Sequence, residues 1–420
     1  MAMMMVFLVA AVALASVAGA QRPASGPDEA AAHYARARAA FSGGDWEVAK
    51  QEYAKALALR PQFLEARLDL ARLQVARRDF DAALASIDAA LKIDAKNVDA
   101  QLIRAAALIG QRKTDLALRL LGPVLAANPN NPDVHFESGV VNMAAARYQE
   151  AEAAFRKTWE LEPGNARGLA GMAETHLAQN EPAKAVELLQ AEVAKHPDRG
   201  DLHLALANIA FRAAKYDLAA TEYQKALPAQ EGPAAGETYM RLAETLRRKG
   251  DIEAALAAAA KARELMPRNA TVAATLAMML DAAGRKTEAR QAYEATIELD
   301  PGNVMALNNL AFLLADTGGD LRQALELAQR ARSLLPNSVE VQDTVGWIYL
   351  KANLVAEATE LFRSLVAREP DNAGLRYHLG AALARQGEKG AALEQLREAQ
   401  ARRPSPADAA AIRALLAALE

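Results

Sequence analysis

Cysteine is absent from all 420 residues. Its absence excludes disulfides, thiolate metal ligands and a lipid-modified cysteine. Aromatic residues make up only 5% of the chain, with three tryptophans, so any core must be built mainly from aliphatic side chains and alanine. Charge of one sign never accumulates. The 49 basic and 52 acidic residues leave a net charge of -3 without a basic tail or like-charge block, which argues against a nucleic-acid partner. Also missing are a Gly-rich phosphate loop, HExxH, GxSxG and EF-hand patterns. The six histidines (His33, His135, His176, His196, His203, His378) never stand four apart on one helix. No catalytic residue, metal site or cofactor is expected.

What the sequence does have is a period. A closing Pro or its substitute stands at Pro61, Ala95, Pro129, Pro163, Pro197, Glu231, Pro267, Pro301, Pro336, Pro370 and Pro404, spaced by 34 to 36 residues. Twelve residues before each is an alanine, from Ala49 to Ala392, in all eleven units. The eighth position of each unit is always Ala or Gly, as at Ala37, Gly139, Gly346 and Gly380. Two helix-length apolar-periodic stretches flank a turn such as Gly44-Asp45 or Gly250-Asp251, so each unit reads helix, turn, helix. Small residues at positions 8 and 20 let the two helices approach to about 8 Å. Pro at position 32 stops the second helix, and Asn131, Asn165, Asp198, Asn303 or Asp371 is expected to cap the next.

A 34-residue period with small residues at 8 and 20, an aromatic or aliphatic at 24 and Pro at 32 resembles the tetratricopeptide repeat (TPR). The resemblance covers residues 30–404 and implies an all-α, right-handed superhelical solenoid of helix-turn-helix repeats. One unit cannot bury its own apolar face, so units must stack and the last must be capped. Residues 405–420, with Ser405 or Asp408 at the start, are expected to be that capping helix.

Taken in order, residues 1–20 carry no charged side chain and end Ala18-Gly19-Ala20, which reads as a secretory signal peptide or, uncleaved, an N-terminal anchor for membrane association. Residues 21–29 read as a linker. Trp46, Tyr53, Phe80, Ile87, Tyr148, Phe155, Trp159, Tyr216 and Tyr223 fall at core positions 17, 24 and 28. Pro123 should kink or shorten its helix, whereas Pro182, with Asn180 as cap, stands where a helix can begin. The stretch 228–236, PAQEGPAAG, adds two residues, either as a slightly longer loop in a continuous stack or as a candidate hinge. Thr317 to Asp320 lengthens one inner turn.

In TPR proteins the concave face is lined by the first helix of each repeat, chiefly at positions 2, 5, 9, 12 and 13. Carried onto this register, the N-terminal half offers a greasy groove that includes Leu102, Phe136 and Met143, with Tyr34, Leu68 and Val75. It suits an amphipathic helix or an extended apolar peptide, unless these side chains pack against adjacent helices instead. The C-terminal half offers Asn308, Asn309, Phe312, Asp343, Trp347, Lys351, Tyr377, His378 and Arg385. There Asn308, Asp343 and Tyr377 would form one row and Asn309, Thr344 and His378 another, either as ligand contacts or as ties between helices. Only Trp347 among the tryptophans takes a groove position, which makes it the expected anchor.

The segments NNLAFLLADTGGDLRQALELAQRA, DTVGWIYL and LRYHLGAALARQGE, within residues 304–404, look like the C-terminal repeats of exported bacterial TPR proteins associated with exopolysaccharide secretion and PEP-CTERM sorting. The expected function is a non-enzymatic, exported, periplasmic or envelope-associated scaffold for a protein or peptide partner. The alternatives are a part in an exopolysaccharide or protein secretion assembly, or, less favoured, a regulatory part of a glycosyltransferase system.

Overall fold

The computed structural model describes residues 28–420; the expected signal segment and residues 21–27 of the linker lie outside the described residues. Asp28 caps the first helix through Ala31 N, so Glu29 is already helical. Among the described residues there are 23 α-helices and no strands. They form eleven antiparallel pairs followed by a final helix, Pro406–Leu419, which Ser405 caps through Asp408 N at 3.1 Å.

The pairs divide into two compact units. The first, ending at Asn269, contains seven, from Glu29–Ser42 with Trp46–Leu59 to Gly232–Lys249 with Ile252–Leu265. The candidate hinge lies inside it: Leu227–Ala229 is a 3-10 turn and Gly232 opens an 18-residue helix. The second unit, from Ala270, contains four pairs and the final helix. Ile412 is fully buried there against Leu396 and Ala399, which closes the last apolar face.

The small-residue rule has a direct physical cause. Ala49, Ala83, Ala151, Ala219, Ala289 and Ala358 are each completely buried. At two of these crossings even alanine is excluded: a Cβ on Gly139 would stand 2.5 Å from the Phe155 ring and one on Gly346 2.6 Å from the Phe362 ring. Tyr53, Ile87, Phe155 and Tyr223 fill the core. Trp46, Phe80, Tyr148, Trp159 and Tyr216 are half-buried at its edge.

Several local expectations need correction. The helix Thr114–Ala127 is not shortened by Pro123, which lies inside its usual 14 residues. Glycine beside proline instead leaves an open hollow beside Gly122, lined by Leu118, Leu121, Leu125 and Val141. Asn131 and Asn303 cap as expected, but Asn372 rather than Asp371 caps Ala373–Gln386, through Leu375 N at 3.2 Å. Asp198 does not cap, the N-cap of its helix being Arg199 without a side-chain bond. Asn165 lies one residue before the N-cap and accepts from Arg167 N. Asn180 occupies a turn at φ 61° while Glu181 precedes Pro182.

Candidate functional site

In the second unit three consecutive first helices, Val304–Asp316, Val339–Lys351 and Ala373–Gln386, present the groove positions. The two expected rows do not run separately. They are cross-linked on a diagonal, because His378 Nδ1 meets Asp343 Oδ1 at 2.7 Å. Tyr34 and Asp69 repeat that relationship in the first unit at 2.8 Å, with the same 35-residue separation. A side chain at position 5 of one repeat therefore reaches position 6 of the next.

Trp347 is only 8% exposed. Its ring lies 4.6 Å from the His378 imidazole, 6.2 Å from Tyr377 and 6.5 Å from Phe312, with Lys351 Nζ 4.9 Å above it. Residues of the following repeat and Lys351 thus cover the expected anchor. Phe312, 38% exposed, is the open aromatic of this wall. Lys351 also approaches Asp316 at 3.8 Å, and Arg385 Nη1 donates to the Leu350 carbonyl at 2.6 Å, so both cations tie neighbouring first helices together. Burial raises the Tyr377 phenol above its usual range.

Beside this wall opens a cleft of about 330 Å³, lined by Asn308, Asn309, Phe312, Glu340, Asp343 and Thr344, with Asp281, Glu369 and Asn372 at its margins. Asn309 Nδ2 donates to the Tyr293 hydroxyl at 3.3 Å, which in turn reaches Asp281 at 3.4 Å. Asn308 Oδ1 is buried without a hydrogen-bond partner. Sequence reasoning placed Asn308, Asn309, Phe312 and Asp343 here. It missed Glu340 as a ligand position, although it is position 2 of its repeat, and it missed Glu369 and Asn372, which come from the connecting loop.

The greasy groove of the first unit is largely closed. Met143, Leu68 and Val75 are each 6% exposed and belong to the core. Phe136 packs 5.5 Å from Phe155 under the Arg167 guanidinium, and half-buried Leu102 packs on the cluster around Leu121. These apolar groove positions therefore serve core packing.

Among the described residues no group of three or more His, Cys, Asp or Glu side chains could hold a metal ion. No described helix is long and apolar enough to cross a membrane.

Stacked antiparallel helix pairs, closed by fully buried alanines, define a helical-repeat solenoid. The chain belongs to the tetratricopeptide repeat family. One tetratricopeptide repeat profile matches residues 40–107 and 142–209, and a second matches 104–166, 204–271, 240–304, 274–339 and 346–409. The chain is similar to a TPR repeat-containing protein of Pseudomonas aeruginosa, at 27% identity over 202 residues, 48% of this chain and 34% of that protein. It is also similar to cellulose synthase operon protein C of Pseudomonas fluorescens, at 26% over 349 residues, 78% of this chain and 27% of that protein. It thus spans about a third or less of the length of these relatives. Among solved structures, a chain of the APC/C hetero-tetramer Cut9–Hcn1 aligns at TM-score 0.42 and 13% identity, covering 93% of this chain and 96% of that one.

Proposed function

We propose that this protein is a non-enzymatic scaffold of the bacterial envelope that holds a segment of a partner protein against the first helices of residues 304–386. The open cleft beside Phe312, placed on positions that TPR proteins use for ligands, carries this reading. A photo-crosslinking amino acid at position 312 tests it in the native organism. A discrete partner is expected from position 312 and not from Leu334, an exposed residue of a second helix. Equal labelling from both positions would overturn the proposal. Export is part of it, and mature protein should begin near Gln21. An intact Met1 on membrane-bound material would favour an anchor instead.

A second reading has specific support. The 349-residue likeness to cellulose synthase operon protein C and the resemblance of residues 304–404 to repeats of exopolysaccharide-associated TPR proteins favour a part in an exopolysaccharide secretion assembly. Deleting the gene and measuring secreted polysaccharide separates that role from a generic scaffold.

A further inference from the structure

We propose that the cleft between the first helices Val304–Asp316, Val339–Lys351 and Ala373–Gln386 is a receptor for an arginine side chain carried by the partner's bound segment. The inference rests on the scaffold reading above and adds the chemistry of the ligand.

The polar lining of the cleft offers acceptors and almost no unused donors. Four carboxylates, Asp281, Glu340, Asp343 and Glu369, line it, and among the described lining residues there is no lysine or arginine. Two of the four are already engaged by cationic or imidazole partners: Lys286 Nζ lies 2.6 Å from Asp281 and His378 2.7 Å from Asp343. The other two are exposed and are met by neutral donors, Ser338 Oγ at 2.8 Å from Glu340 and Asn372 Nδ2 at 3.0 Å from Glu369. Their charge is uncompensated at the mouth. The local donors are spent, since Asn309 Nδ2 points to Tyr293 and the Thr344 hydroxyl to the Glu340 carbonyl at 3.1 Å.

A second observation does not depend on the acids. Asn308 Oδ1 is buried with no donor, and the same carboxamide is otherwise held by one 3.5 Å contact from its Nδ2 to Asn309. A ligand donor that reached this oxygen would satisfy it. Phe312 adds an open aromatic face at the rim. Guanidinium matches this combination better than ammonium: its five donors lie in one plane, pair with several carboxylates at once, and stack on an aromatic ring. An acidic segment would be repelled, and a neutral one would leave the acceptors unmet.

The test uses the full-length protein and fluorescein-labelled dodecapeptides that are identical except for one central residue, Arg, Lys, Gln or Glu, with binding followed by anisotropy at two salt concentrations. The Arg peptide is expected to bind at least about ten-fold more tightly than the Gln peptide, and the gap should narrow as salt screens it. Glu340→Gln together with Glu369→Gln, both exposed substitutions, should remove most of that preference while leaving the thermal midpoint in place. If the Gln or Glu peptide binds as tightly as the Arg peptide, or if the double variant keeps the preference, the arginine assignment is wrong and the scaffold reading stands. If peptides of all four kinds fail to bind while position 312 still crosslinks a partner, the cleft is not the recognition element. Failure of both measurements sinks the two readings together.

Discussion

The carboxylate of Asp343 and the imidazole of His378 meet at 2.7 Å from two successive repeats, and the Trp347 indole packs 4.6 Å from that imidazole. The groove wall is therefore part of the interface between repeats. Trp347→Ala should destabilise the second unit by about 3–5 kcal/mol, the usual cost of truncating a buried Trp. Chemical denaturation checks this, and an unchanged midpoint would return Trp347 to the role of a free ligand contact.

Helix crossings should tolerate nothing larger than they hold. Ala219→Leu should cost about 1–3 kcal/mol by overpacking, since Ala219 is completely buried. Lys261→Ala removes only a surface pair with Glu264 at 2.7 Å and should cost far less. In the same way Gly346→Ala should destabilise, because its Cβ would press into the Phe362 ring. Phe362→Leu in the same chain should recover part of the loss, a coupling that a double-mutant cycle measures.

Glu137 is 8% exposed, its Oε1 has no hydrogen-bond partner, and burial raises its carboxyl to about 8 from 4.5. The folded chain keeps this proton where the unfolded chain has lost it. Stability should be full below pH 4.5 and decline as pH rises towards 8, with about 3 kcal/mol lost from this group by neutrality. Glu137→Gln mimics the protonated form. It should match the parent near pH 5 and exceed it at pH 8 in urea titrations, and parallel pH profiles would contradict the assignment.

The turn inside each repeat places one residue in the left-handed region. Glycine supplies it at Gly250 and Gly387, but Ala146 and Ala214 adopt φ 56°. Alanine pays a steric cost there of about 1 kcal/mol. Ala146→Gly and Ala214→Gly should each raise stability by up to about that amount, as read from thermal midpoints. A loss would mean that the entropy of the unfolded glycine outweighs the relief.

The period, the helix pairs, the small crossings and the capping helix were determined by the sequence alone. A repeat meets the same local problem each time, so Ala151, Ala219 and Ala358 report one geometry in different units. The Phe155–Gly139 and Phe362–Gly346 complementarity was written in the same register. Exposure along the groove was not legible, because it depends on partners some 35 residues away. Trp347 and Phe312 hold the same position in neighbouring repeats, yet Tyr377 and His378 cover the first while the second stays open. The cleft likewise combines Glu340 on one helix with Glu369 and Asn372 on the next connection. Only stacking brings these together: the period places each side chain on a face, but the neighbouring repeat decides whether that face meets solvent or another ring.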